Sequence, residues 1–305
     1  MDTGTITADA AGTWNLGDMT VDRLGFGAMR LTGSAAFHLG RPRDRETSIR
    51  VLRRAVELGV DHIDTAAFCF SALRSANELL NRALAPCPED LVVATEVGPG
   101  RDPSGEWLPW ATPGRLRGQV EEDLRPLGRD HLDPVDLRVN GPGSIAEHFG
   151  ALAELREAGL IRHLGVSNVS VAQFAEARAV ALVVCVQNRY GLGARSPWSD
   201  ASVRECGELG VAFVPFFAIA GEGAEAGASA AVPTAAEEVV GDVARAHGAT
   251  AAQVRLAWTL HQGPHVLAIP GTGDPGHLAE NAAAGALRLT PEDLARLERA
   301  RTPAG

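Results

Sequence analysis

Apolar residues recur along this chain in two alternating rhythms. Short contiguous runs, best seen in Leu91-Val92-Val93-Ala94-Thr95-Glu96-Val97, read as strands buried on both faces. Between them apolar positions fall three and four apart. In Arg45 to Leu58 such positions are Val51, Leu52, Ala55, Val56 and Leu58, one stripe of a helix. Strands are predicted near Leu24, His62, Val92, Asp133, Arg162, Val183, Ala212 and Val266. The intervening helices carry their own start signals. Thr112-Pro113 opens one that ends at Leu127-Gly128, and Ser144/Glu147, Ser170/Gln173 and Thr250/Gln253 have capping-box spacing. Further helices are expected over Ser75–Leu84, Ala201–Leu209, Ala235–His247, Pro275–Ala284 and Pro291–Ala300.

Eight strands alternating with helices predict a closed parallel (β/α)8 TIM barrel, α/β in class. A doubly wound open sheet would carry a glycine fingerprint after its first strand, and none is present. The barrel is expected as a single domain over 14–305, entered through a hairpin between Thr13 and Met29. Residues 1–13 are small and polar and are expected to be flexible. Gly221–Ala230 has no apolar period and reads as a mobile loop.

Composition narrows the partners. A formal net charge of −10 argues against a nucleic-acid face, and no stretch approaches a membrane span. The four cysteines, Cys69, Cys87, Cys185 and Cys206, are too scattered for a metal site, and three sit in apolar surroundings as buried thiols. These features fit a cytoplasmic, reduced protein with a small-molecule substrate, no metal, no nucleic-acid partner and no membrane association.

The first chemical signal is Asp64, which closes the short strand His62-Ile63-Asp64. At the carboxyl end of a barrel strand its carboxylate faces the edge where ligands bind; the plainer reading is a cap on the following turn. His62 shares its face by alternation but lies deeper, as a packed residue. His163 reads as packed or hydrogen-bonded.

Longer stretches resemble the aldo-keto reductases. They are Leu24-Gly25-Phe26-Gly27, Gly59 to Ala66, Gly159 to Asn168, Val186-Gln187-Asn188-Arg189-Tyr190, and Ile269-Pro270-Gly271-Thr272 followed by Leu278-Ala279-Glu280-Asn281. The resemblance implies a barrel that binds NADP(H) or NAD(H) at the carboxyl ends of its strands. Ser167, Asn168 and Gln187 would hold the nicotinamide amide, Phe216 or Phe217 would offer a ring, and Glu280 and Asn281 would contact adenine. Gly27 would let the cofactor approach, and Thr272 and His277 would help at the 2′-phosphate. Asp274 would repel that phosphate; its plainer reading is the cap of the helix at Pro275, and even as a cap it puts negative charge near the pocket, which weakens the case for NADPH over NADH.

The family's catalytic tetrad is Asp, Tyr, Lys and His, and this chain keeps only the first. Cys69 stands where Tyr is expected and Glu96 where Lys is expected. Arg138 stands where His is expected; a two-residue slip would give Asn140 instead. The sole tyrosine, Tyr190, belongs to another motif. Asp64 and Glu96 on adjacent strands cannot both ionise cheaply unless a cation intervenes, and Arg138 and Arg30 are candidates. Such a cluster either moves protons or is an inert charge-compensated network. Cys69 is a small apolar replacement or, less simply, a nucleophile, since nearby acids disfavour its thiolate. Three functions stay open: an NAD(P)(H)-dependent oxidoreductase of a carbonyl or alcohol with altered proton delivery, a redox-neutral dehydratase, isomerase or lyase, and a nucleotide-binding pseudoenzyme.

Overall fold

The structure, a computed structural model, describes residues 6–34, 41–193, 199–219 and 235–301. Strands β1 (Thr13–Leu16) and β2 (Met19–Asp22) form the antiparallel entry hairpin. The parallel sheet begins with β3 (Phe26–Gly27) and β4 (His62–Ala66), which is followed by a small hairpin, β5 (Phe70–Ser71) and β6 (Arg74–Ser75). It continues through β7 (Val92–Val97), β8 (Leu132–Arg138), β9 (Ile161–Ser167), β10 (Val183–Arg189) and β11 (Ala212–Phe216), each beside its predecessor.

The eighth stave is reduced to single bridges. Val266 pairs with Phe213, and Ala268 pairs with Leu24, both parallel. Leu267 N–H donates to Phe213 O and Gly25 N–H to Ala268 O, each at 2.9 Å, so the sheet closes on itself. Close approach explains the glycines at this seam: a Cβ on Gly27 would stand 2.7 Å from Ile269 O, and one on Gly271 would stand 2.6 Å from Gly27 O. Leu16, Met19 and Val21 of the entry hairpin pack with Val92, Val214 and Leu267 and plug the amino end. The other end is left for a ligand.

Helices surround the staves: α1 (Arg45–Glu57), α2 (Ala76–Leu84), α3 (Leu116–Leu127), α4 (Ala146–Glu157), α5 (Val171–Val180), α6 (Ser199–Leu209), α7 (Ala235–His247), α8 (Ala251–Leu260), α9 (Pro275–Ala283) and α10 (Pro291–Arg301). The capping boxes Ser170/Gln173 and Thr250/Gln253 form on α5 and α8. The one expected at Ser144 does not. Glu176 of α5 takes the Ser144 hydroxyl and, at 2.9 Å, the Ile145 N–H, so a neighbouring helix replaces the local cap. From residue 8 the amino-terminal stretch is docked: Ala8–Ala11 form a 3-10 turn, and Ala8 N–H donates to Leu58 O at 2.9 Å. Gly221–Ala230 lies outside the described residues.

Gly165 on β9 makes room for a neighbouring side chain. A Cβ there would stand 1.8 Å from Asp136 Oδ1 and 2.5 Å from Cys185 Sγ. Gly165→Ala is therefore expected to destabilise by at least about 1–3 kcal/mol, as overpacking does in a filled interior. Urea unfolding at neutral pH measures it.

Candidate active site

Alternation along the staves gathers one set of side chains at the open end. Strand register places Asp64 opposite Ala94, Glu96 opposite Asp136, Arg138 opposite Ser167, and Ser167 opposite Gln187. Of these, Asp64, Glu96, Arg138 and Gln187, together with the segments around Gly27 and Thr272, ring a cavity of about 400 Å³. Its lining includes Gly27, Asp64, Cys69, Glu96, Arg138, Gln187, Phe216, Phe217 and Thr272. Asn140 is exposed and does not line it, so Arg138 is the stave-four residue at the site.

The floor is a charge cluster. Arg138 Nη1 donates to both Glu96 oxygens, at 3.2 and 3.0 Å, and Glu96 is 6% exposed. Arg30, the other candidate cation, donates instead to Ser34 O. Asp64 accepts from Gln187 Nε2 at 3.2 Å. Burial first, then the Glu96 charge, push the Asp64 carboxyl well above its ordinary range, against smaller opposing effects of Gln187 and Arg138. Its protonated form is thus favoured.

A third acid lies beneath. Asp136, two residues before Arg138 and on the same face, is buried and accepts from Cys185 Sγ at 3.1 Å. Burial pushes this carboxyl well up, with the Glu96 and Asp64 charges adding to it. Alternation along the stave, two residues from Arg138, is the sequence signal that marks Asp136. Cys69 is buried against the same cluster, and burial, Asp64 and Glu96 all raise its thiol, which leaves no thiolate for nucleophilic attack. Tyr190 is buried away from the cavity lining, stacked on Trp258 and donating to Gln262 Oε1 at 3.2 Å. His62 lies under Gly25, and His163 is paired with Asp18 on the entry hairpin, so both are packing residues.

Behind β4 a buried polar chain braces the site from outside. Thr65 Oγ1 donates to Asn77 Oδ1 at 2.7 Å, and Asn77 Nδ2 donates to Asp123 Oδ1 at 2.6 Å. Burial pushes the Asp123 carboxyl up to about 7, with Asn77 lowering it and the Glu122 charge raising it. A folded-state pKa above the unfolded value means that the folded protein holds this proton longer. The stabilisation is complete below about pH 4 and is lost as pH rises towards 7. Asp123→Asn should remove this loss, so the variant gains on the parent between pH 4 and 8, by about 4 kcal/mol as an upper bound. Paired denaturant curves at the two pH values test it.

The cofactor candidates divide. Ser167 Oγ, Gln187 Oε1 and Asn281 Nδ2 are buried and have no hydrogen-bond partner among the described residues; of the three, Gln187 lines the cavity and Ser167 and Asn281 do not. Asn168 is held in the left-handed region at φ 58°, with its side-chain amide donating to Val139 O at 2.9 Å. Thr272 Oγ1 accepts from Asp274 N–H at 3.0 Å. His277 and Glu280 are exposed on α9, outside the cavity lining. Asp274 caps α9, its Oδ1 accepting from Gly276 N–H at 2.7 Å and His277 N–H at 3.2 Å. Sequence reasoning missed Arg43. Its guanidinium lies against Gly273, where a Cβ would stand 2.0 Å from Nε, and it donates to Gly273 O at 3.2 Å. Contact across 230 positions leaves no local signal.

The fold is a closed parallel barrel with its cavity at the carboxyl ends of the staves and a hairpin plugging the other end. The chain belongs to the aldo/keto reductase family, whose sequence pattern matches residues 23–302. It is 42% identical over 296 residues to pyridoxine 4-dehydrogenase of Escherichia coli, covering 95% of this chain and 98% of that one. Among solved structures it resembles an aldo/keto reductase from Klebsiella pneumoniae in complex with NADP and acetate, at 26% identity and a TM-score of 0.71. That match covers 92% of this chain and 91% of that one. A glycerol dehydrogenase from Gluconobacter oxydans, 24% identical with a TM-score of 0.80, shares the fold over 95% of both chains.

Proposed function

We propose that this protein is an NADP(H)-dependent oxidoreductase that interconverts a small carbonyl compound and its alcohol, with Asp64 handling the proton that a tyrosine handles elsewhere in the family. The observation that carries this reading is Gln187 Oε1, buried, on the cavity lining and without a hydrogen-bond partner among the described residues; Ser167 Oγ, opposite it in register, and Asn281 Nδ2, off the lining, are in the same state. An unpaired buried polar group costs about 1–3 kcal/mol. A nicotinamide carboxamide has both the donor and the acceptor that Ser167 and Gln187 lack, and adenine has an acceptor for Asn281. Phe216 and Phe217 supply the apolar wall for a nicotinamide ring. Arg30 and Arg43 line the cavity with Gly27 and Gly273, and their charge suits phosphates. Against them stands Asp274, whose carboxyl the His277 and Gly276 N–H groups of the α9 cap hold below its ordinary range, so that its negative charge is retained. The NADP complex of the Klebsiella relative supports the same cofactor. When bound, it would supply or accept the hydride.

Reduction of a carbonyl adds a hydride to carbon and a proton to oxygen. Asp64 has its protonated form favoured, and Gln187 holds one of its oxygens, leaving the other to carry the proton. The Glu96–Arg138 pair places negative charge beside Asp64 and a positive charge beyond it, which keeps the proton on Asp64 until the substrate oxygen becomes basic. In the oxidation direction the same carboxylate takes the proton from the alcohol.

Isothermal titration with NADPH and NADH tests the cofactor reading. NADPH is expected to bind with Kd well below 1 mM, at least as tightly as NADH. No binding of either at millimolar concentration, about −4 kcal/mol, would overturn it.

A further inference from the structure

We propose that Arg138 is the anchor for a carboxylate on the substrate, so that the protein acts on carbonyl or hydroxy compounds that are themselves acids. This rests on the oxidoreductase reading above and names the substrate class that the site would take.

Arg138 uses one nitrogen for Glu96. Both carboxylate oxygens of Glu96 meet Nη1, at 3.2 and 3.0 Å, while Nε and Nη2 have no hydrogen-bond partner among the described residues. Neither nitrogen is sealed off from solvent, and the residue lines the cavity. The open edge is the one on which two parallel N–H groups match the two oxygens of a carboxylate. Two aromatic rings and a backbone bond hold it in place. The guanidinium carbon lies 5.4 Å from the Phe216 ring centroid and 6.0 Å from that of Phe68, and Trp110 Nε1 fixes the backbone by donating to Arg138 O at 2.9 Å. A preformed fork loses little freedom when it binds.

Charge around the cavity favours an anion. Arg30, Arg43 and Arg138 line it, against Glu96, which is already paired, and Asp64, whose neutral form is favoured. A basic cavity in a chain of net charge −10 draws anions from solution against the field of the whole protein. Arg30 and Arg43 lie with Gly273 and Ser34, whereas Arg138 stands on the floor with Asp64, Glu96 and Cys69. An acid anchored on Arg138 would therefore present its neighbouring carbonyl to the same floor.

The test uses butyrate and its neutral isostere butyramide, titrated calorimetrically into the full-length protein at low salt, with and without NADP+. Butyrate is expected to bind, and butyramide to bind at least tenfold more weakly. Arg138→Lys keeps a charge for Glu96 but removes the fork, and should weaken butyrate at least tenfold with an unchanged melting temperature. Glu96→Gln frees Arg138 from its counter-charge and should tighten butyrate at least threefold, a gain that a purely structural arginine would not give. Equal binding of butyrate and butyramide, or parental butyrate affinity in Arg138→Lys, would overturn the anchor. If NADP+ binds and butyrate does not, the anchor fails and the oxidoreductase reading stands. If butyrate binds in the expected pattern and NADP+ does not, the anchor stands and that reading fails.

Discussion

Asp64→Asn is expected to lower turnover by about two to four orders of magnitude, the usual contribution of a positioned proton donor. The substitution is nearly isosteric, and the asparagine carbonyl still accepts from Gln187 Nε2, so the floor keeps its shape. What disappears is the transferable proton. Cofactor affinity should change less than about threefold, because Gln187 Oε1 and Ser167 Oγ are untouched; that is under about 1 kcal/mol. The comparison is kcat for any carbonyl compound that the parent reduces, measured at saturating cofactor, alongside a cofactor titration. Near-parental turnover would move the proton to solvent or to the substrate itself. Cys69→Ala is the matching control: its thiol is raised by burial and by the two acids, so loss of the sulfur should leave the chemistry in place.

Arg138→Met carries the largest expected effect on stability. The guanidinium is the cation paired with Glu96, whose side chain is 6% exposed. Removing one partner leaves a buried charge without compensation, which costs about 3–5 kcal/mol. The cost should not be additive. Glu96→Gln combined with Arg138→Met removes both charges and should recover most of the loss, a coupling of the size seen for residues in direct contact. Urea unfolding of the two single variants and the double variant measures it. A single Arg138→Met variant within about 1 kcal/mol of the parent would show that the pair is solvated, not buried.

The alternation of buried runs and helical stripes made the barrel legible, because a parallel barrel imposes two different periods on successive segments. Alternation also sufficed for the floor. Asp64, Glu96 and Arg138 lie on one face because neighbouring parallel staves place same-face residues side by side. What stayed hidden arises from contacts between distant segments. The eighth stave was legible as the apolar run Val266 to Ile269, but not its reduction to two bridges, one to Phe213, 53 positions away, and one to Leu24, 244 positions away. The Ser144 cap was lost to Glu176 on another helix. Arg43 reaches Gly273 through tertiary packing alone. Asp136 was legible in principle, two residues from Arg138, and its burial explains why Gly165 has no side chain.

Everything proposed for the chemistry depends on where Asp64 keeps its proton. Carbon-13 NMR of protein labelled at the aspartate carboxyl groups, with Asp64→Asn supplying the assignment, follows that proton without any substrate. Burial and the Glu96 charge place the Asp64 titration well above the ordinary aspartate range, and the resonance should still report a protonated carboxyl where exposed aspartates have fully ionised. Titration near the unperturbed aspartate value of about 3.9 would contradict the assignment of Asp64 as the proton donor.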